Sequence, residues 1–195
     1  MERISKPLIF IISAPSGSGK TTLVEIVLQT LDNIKESISC TTREPREGEV
    51  PDKDYIFVTK EVFEKTIEED GFLEWEKNFG NYYGTPKDMF RNSFDAGVDV
   101  ILSIDVKGAQ NVKKRYPESV GVFIMPPSKE VLEKRLRGRN TDQEDQVKIR
   151  LEEAKREMAC TDQYDYLIVN EDLEKAAEEL ATIIQNERNK KSEGS

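Results

Sequence analysis

The segment Ala14-Pro15-Ser16-Gly17-Ser18-Gly19-Lys20-Thr21, followed by Thr22, carries the most specific chemistry in this sequence. It fits the phosphate-loop pattern G-x-x-x-x-G-K-S/T, with Ala14 at the opening position. Glycines let backbone N–H groups close around phosphate oxygens with no Cβ in the way. A helix starting near Lys20 adds the positive end of its dipole. Lys20 can then reach the β- and γ-phosphates of a nucleoside triphosphate, and the Thr21 hydroxyl can ligate Mg²⁺.

Such a loop needs a buried strand before it and an amphipathic helix after it. Leu8 to Ile12 is an apolar, β-branched run without alternation, as expected of a strand buried on both faces. Leu23, Val24, Val27, Leu28 and Leu31 form one helical stripe. From Ser37 to Gly97 the texture changes. Short β-like pieces (Ser37 to Thr41, Tyr55 to Val58, Phe72 to Trp75) alternate with loops rich in Arg, Glu, Pro and Gly. A helix is expected from Lys60 to Glu69, and another opening at Thr85-Pro86 with Thr85 as cap and Asp88 in the capping-box position. This reads as an inserted subdomain, with Phe72, Trp75 and Phe79 in its core. Strands at Val98 to Ile104, Val120 to Met125 and Tyr166 to Val169 alternate with helices capped by Ser128 and by Thr141 with Glu144. The last helix should bury Leu173, Ala176, Ala177, Leu180, Ile183 and Ile184, and Asn189 to Ser195 should fray. Alternating strands and helices imply an α/β fold with a parallel sheet covered on both faces.

Composition removes several function classes. The chain has 195 residues, with 29 Lys plus Arg against 38 Asp plus Glu, a net charge of −9, and no histidine. A Ser-His-Asp triad, a Cys-His pair and histidine metal ligands are therefore excluded. Cys40 and Cys160 form no C-x-x-C, so neither a zinc site nor a disulfide framework is indicated, and a reducing, cytoplasmic setting is expected. The acidic balance argues against nucleic-acid binding. The longest wholly apolar run, Leu8 to Ile12, is far short of the roughly 20 residues of a membrane helix, so no membrane association is expected.

Further motifs follow the loop in order. They are Ser37-Ile38-Ser39-Cys40-Thr41-Thr42-Arg43-Glu44-Pro45-Arg46-Glu47-Gly48-Glu49, Asp54-Tyr55, Phe72-Leu73-Glu74-Trp75 and Gly80-Asn81-Tyr82-Tyr83-Gly84-Thr85. Then come Ile104-Asp105 with Gly108-Ala109-Gln110, Pro126-Pro127-Ser128, Arg135-Leu136-Arg137-Gly138-Arg139, and Tyr164-Asp165-Tyr166 running into Ile168-Val169-Asn170. From about Leu8 to Arg188 the chain resembles the guanylate kinase family, the nucleoside monophosphate kinases that move a phosphoryl group from ATP to GMP. The resemblance implies a P-loop parallel sheet carrying an inserted GMP-binding subregion and a helical lid. As one domain the chain divides into a core (1–35, 98–137 and 158–195), a GMP-binding subregion (36–97) and a lid (138–157). It further implies that Arg43, Arg46, Tyr55 and Tyr83 bind the GMP phosphate. Ser39, Glu74, Thr85 and Asp105 would line the guanine pocket. Arg139 and Arg150 would reach the transferring group from the lid. Arg135 would contact phosphate or nucleotide, and Asn170 the adenine of ATP.

The residue types suit these roles. An arginine fork matches a phosphate dianion, and tyrosine hydroxyls donate to the same oxygens. A carboxylate such as Glu74 accepts from guanine N1–H and its exocyclic amine together, whereas adenine has no proton at N1. Only one of Tyr82 and Tyr83 should face the pocket, because strand side chains alternate. Ser103 departs from the family, which usually has Asp there as well as at Asp105. Magnesium is then expected to rely on Thr21, the ATP phosphates and water, with an altered magnesium requirement. The expected activity is direct in-line transfer from ATP to GMP and also dGMP. The competing readings are a non-catalytic guanylate-kinase-like module that binds a phosphopeptide, and a P-loop kinase for another nucleoside monophosphate.

Overall fold

The computed structural model describes residues 7–46, 48–78, 80–138 and 144–193. Five parallel strands form the main sheet: β1 (Ile9–Ser13), β2 (Ile34–Glu36), β7 (Asp99–Ser103), β8 (Val120–Met125) and β9 (Tyr166–Val169), in the order β2-β7-β1-β8-β9. β1 lies in the centre with all five residues buried, as its unbroken apolar run requires. Its alternate residues divide between two cores. Phe10 and Ile12 join Ile101, Val122 and Ile124 under helices α1 (Lys20–Thr30) and α7 (Leu173–Glu193). Ile9 and Ile11 join Val100 and Leu102 against α4 (Val106–Arg115) and Phe90 of α3 (Lys87–Asp95).

A second sheet is separate from the first in its hydrogen bonding, although Leu73 of one of its strands packs in the core around Ile9 and Ile11. It holds β3 (Cys40–Thr41), β4 (Ile56–Phe57), β5 (Phe72–Asn78) and β6 (Asn81–Pro86), in the order β4-β3-β6-β5. Its core is Phe63 of α2 (Lys60–Glu68), stacked on Phe72 at 4.3 Å and on Tyr82 at 5.2 Å between ring centroids. A third cluster joins α5 (Lys129–Arg137) to α6 (Glu144–Met158) through Leu132, Leu136, Val147 and Ala154.

Several expectations change. Trp75 is not core: it is 40% exposed and meets Tyr82 edge-on, because α2 covers the Phe72–Tyr82 part of that face and leaves Trp75 at its rim. Phe79 lies outside the described residues, as does Thr141 of the capping box before α6. Thr85 does not cap α3. The helix starts at Lys87 after Pro86 with no side-chain cap, since the Thr85 hydroxyl is bonded to Glu74. β2 and β6 were not foreseen as separate strands, whereas Ser128 caps α5 as expected. Leu173 is 37% exposed, outside the core stripe of α7. That helix stays regular to Glu193 because Arg188 bonds to Asp99 at 2.7 Å and Lys191 to the Pro7 carbonyl at 3.3 Å.

Candidate active site

The phosphate loop leaves the carboxyl end of β1 and enters α1. Gly17 and Gly19 take φ of +93° and +89°, the left-handed region that favours glycine. Each also permits a close approach. A Cβ on Gly17 would lie 3.3 Å from Leu136 Cδ2, and one on Gly19 would lie 2.4 Å from Asn170 Nδ2. Gly19 precedes α1 without a side-chain cap, and the first turn carries no acidic residue. The amides there are left to an external anion.

The loop opens into a cleft of about 530 Å³ that reaches the second sheet. Ala14, Pro15, Ser16, Gly17, Gly19, Lys20, Thr21 and Thr22 line one end. Ser39, Arg43, Arg46, Tyr55, Glu74 and Tyr83 line the other, with Asp105 between them and Arg150 of α6 above. Tyr83 faces the cleft while Tyr82 stacks on Phe63, as strand alternation predicts. Arg139 lies outside the described residues. The cleft takes in neither Arg135, which is on α5, nor three buried residues that act from behind: Ser18, Thr85 and Asn170.

Thr85 and Asn170 each have a visible task, and Ser18 takes part through its backbone carbonyl. Thr85 donates to Glu74 Oε1 through its hydroxyl (2.6 Å) and its backbone N–H (3.1 Å), fixing the carboxylate rather than facing the cleft itself. Asn170 donates to the Ser18 carbonyl at 2.7 Å and so ties the loop to the end of β9.

Glu74 ends against the start of α4, where a Cβ on Gly108 would lie 2.6 Å from its Oε2. Burial raises its carboxyl to about 7, against the two Thr85 donors that pull it down. Asp105 caps α4 through Gly108 N–H at 2.8 Å while lining the cleft. Burial also pushes the Lys20 ammonium down, and nearby carboxylates oppose that.

Arg43 is held in a fork by Glu49, at 2.9 and 2.8 Å, and lies over the Tyr55 ring at 5.4 Å. Glu49 also accepts from Arg46 N–H at 2.7 Å, so one carboxylate shapes the arginine loop. Across the cleft, Arg150 Nη1 donates to Ser16 Oγ at 3.2 Å, joining α6 to the phosphate loop.

Sequence reasoning missed Glu49 and the rest of the inward face of α6. Gln146, Glu153 and Glu157 line the cleft beside Arg150. Their spacings of four, three and four residues were the available signal, since they mark one helix face. Burial, followed by the charges of Asp105 and Glu153, raises the Glu157 carboxyl to about 7.

Comparison with known proteins agrees with this geometry. A guanylate kinase family model matches residues 5–187. The chain is 48% identical over 183 residues to a guanylate kinase of Carboxydothermus hydrogenoformans, covering 94% of this chain and 90% of that one. It is 47% identical over 192 residues to one of Neisseria gonorrhoeae, covering 98% and 94%. The crystal structure of guanylate kinase from Anaplasma phagocytophilum superposes with a TM-score of 0.79 at 35% identity, over 94% of this chain and 87% of that one. Because the match runs through the phosphate loop, the small sheet and the helix carrying Arg150 alike, the chain belongs to the guanylate kinase family.

Proposed function

We propose that this chain transfers the γ-phosphoryl group of ATP directly to the phosphate of GMP, giving ADP and GDP, and that it also accepts dGMP. The observation that carries this reading is a single cleft with a phosphate loop at one end and a buried glutamate beside an Arg/Tyr cluster at the other. Glu74 accepts from guanine N1–H and the exocyclic amine, Ser39 donates to O6, and Asp105 completes the wall. Arg43, Arg46, Tyr55 and Tyr83 hold the acceptor phosphate. No lining side chain is assigned to the ribose 2′-hydroxyl, which is why dGMP is included.

The reaction brings two anionic phosphates together, so charge neutralisation and alignment are the demands on the protein. Lys20 and the loop amides neutralise the donor. Arg150, and Arg139 by its place in the sequence, bring charge from the lid (138–157) as it closes over the core and the GMP-binding subregion (36–97). Closure also excludes water, the competing acceptor.

No group of three or more Cys, Asp or Glu suited to a metal is found among the described residues. Thr21, exposed on the first turn of α1 and lining the cleft, fits a magnesium ion that arrives on the nucleotide and is completed by water. When bound, that ion neutralises the β- and γ-phosphate oxygens.

An intact Gly17, Gly19, Lys20 and Thr21, with Arg150 at the cleft, favours catalysis over a phosphopeptide-binding role. No described helix is long and apolar enough to cross a membrane, and the reducing setting expected from Cys40 and Cys160 suits a cytoplasmic enzyme. A coupled assay of ADP release with GMP, dGMP, AMP, CMP and UMP tests the reading. Turnover is expected with the two guanine nucleotides. Equal turnover with another base, or none at all, contradicts it.

A further inference from the structure

Gly108 stands in the first turn of α4, where the helix itself has no use for it. Its backbone is helical, without the positive φ that would call for glycine. Inside a helix, glycine is less favourable than alanine. The reason for a bare Cα lies in what surrounds it. A Cβ on Gly108 would lie 2.6 Å from Glu74 Oε2, 3.3 Å from Glu74 Cδ and 3.4 Å from Asp105 Oδ1. Two carboxylates that line the cleft therefore close over this one position.

Neither carboxylate can simply step aside. Glu74 is buried, and its Oε1 takes both Thr85 donors, at 2.6 and 3.1 Å. Leu73 beside it is packed in the core with Ile9 and Ile11. Asp105 Oδ1 accepts from the Gly108 N–H itself at 2.8 Å. No hydrogen bond to Glu74 Oε2 is found among the described residues, so packing against Gly108 sets where that oxygen lies. The shortest relief for a methyl group at position 108 is a turn of the carboxylate about the anchored Oε1, which carries Oε2 away. Guanine presents N1–H and its exocyclic amine side by side in one plane. Accepting from both requires the two oxygens to share that plane, and a turned carboxylate loses one of the two bonds.

We propose that Gly108 is the positioning residue for Glu74: the missing side chain in the first turn of α4 lets both carboxylate oxygens meet guanine, and so sets the preference for a guanine acceptor. The inference rests on the phosphotransfer reading and extends it to a residue that does not itself line the cleft.

The test uses Gly108→Ala, Glu74→Ala and the double variant in the full chain. The readouts are KM and kcat with GMP and AMP, affinity for a fluorescent ATP analogue, and Tm. Gly108→Ala is expected to raise KM for GMP about tenfold, the size of one charge-assisted hydrogen bond. Its kcat at saturating GMP should stay within about threefold, and its affinity for the ATP analogue within about twofold, of wild type. The ratio of kcat/KM for GMP over AMP should narrow. Gly108→Ala should also lower Tm in the wild-type background, although alanine is the better helix former. In the Glu74→Ala background the space is open, and the same substitution should leave Tm unchanged or raise it. A glycine needed only by the helix would shift Tm alike in both backgrounds.

A GMP saturation curve unchanged in Gly108→Ala overturns the proposal, as do equal losses of Tm in the two backgrounds. If Gly108→Ala alone fails to fold, the double variant decides: a folded double variant supports the contact, and one that unfolds where Glu74→Ala folds rejects it. A wild type inactive with every nucleoside monophosphate would overturn the phosphotransfer reading instead, while the Tm comparison still decides whether Gly108 makes room for Glu74.

Discussion

Asn170 donates its side-chain amide to the Ser18 carbonyl at 2.7 Å, so the last strand of the sheet holds the phosphate loop from behind. The same amide nitrogen occupies the space a Cβ on Gly19 would need, at 2.4 Å. Loop shape and strand end are therefore fitted to each other. Asn170→Ala leaves the Ser18 carbonyl without this partner, which costs about 1–3 kcal/mol of stability. It should raise KM for ATP and lower kcat while leaving KM for GMP near wild type. Chemical denaturation and steady-state kinetics read both effects. Gly19→Ala should be worse, since it combines a strained φ with the clash. If Asn170→Ala relieves part of the Gly19→Ala defect in a double-mutant cycle, the fitted contact is the cause.

Glu74 sets a pH dependence for the acceptor. Its carboxyl titrates at about 7 because burial outweighs the two Thr85 donors. Guanine needs the charged form as acceptor. Below about 7 the site holds a proton that must leave on binding, so KM for GMP should rise as pH falls, approaching about tenfold per unit. Above 7 it should level off. A KM for GMP that stays flat from pH 8 to pH 5.5 contradicts this. Glu74→Gln should abolish the dependence, weaken GMP, and narrow the preference over AMP, because an amide can also donate to an unprotonated purine nitrogen.

The fork between Arg43 and Glu49 makes a further prediction. Glu49 fixes Arg43 through both terminal nitrogens and holds the Arg46 backbone, and it does not itself line the cleft. Its effect is to preorganise the two arginines. Glu49→Gln should raise KM for GMP by about tenfold with a smaller change in kcat, since a neutral amide cannot accept both arms of the fork. Arg43→Lys should do the same, because a point charge replaces a plane. Unchanged GMP saturation curves in both variants would remove the Arg43 assignment.

How much of this was legible in the sequence differs by region. Most of the main sheet was readable because β1, β7, β8 and β9 are runs of apolar residues, whereas β2, Ile34-Lys35-Glu36, is too short and too polar to show. Val120–Met125 and Tyr166–Val169 fall where the runs place them. The small sheet was harder. Its strands are as short as two residues and its hairpin β5–β6 shifts register between Phe72 and Glu74, so alternation breaks where it was needed to place Trp75. The site divides along the same line. Lys20, Arg43 and Glu74 sit in local motifs, whereas Asn170 reaches Ser18 across 152 residues of chain. Thr85 looked like a helix cap because a cap is a local pattern, and its bond to Glu74 exists only once β5 and β6 pair.

The small sheet should also fail separately from the main one. Phe63 is fully buried between Phe72 and Tyr82, and its cluster shares no residue with the cores around β1. Phe63→Ala removes a ring from a core too small to close over the gap, a loss of about 3–5 kcal/mol. β6 carries Tyr83, β5 carries Glu74, and both depend on that packing for register. GMP binding should therefore collapse, while affinity for an ATP analogue stays within about twofold of wild type because β1, the loop and α1 are untouched. Hydrogen exchange should show lost protection across Phe72–Pro86 with Ile9–Ser13 still protected. Equal loss of ATP and GMP binding would mean instead that the two sheets unfold as one unit, and that the acceptor end of the cleft has no stability of its own to lose.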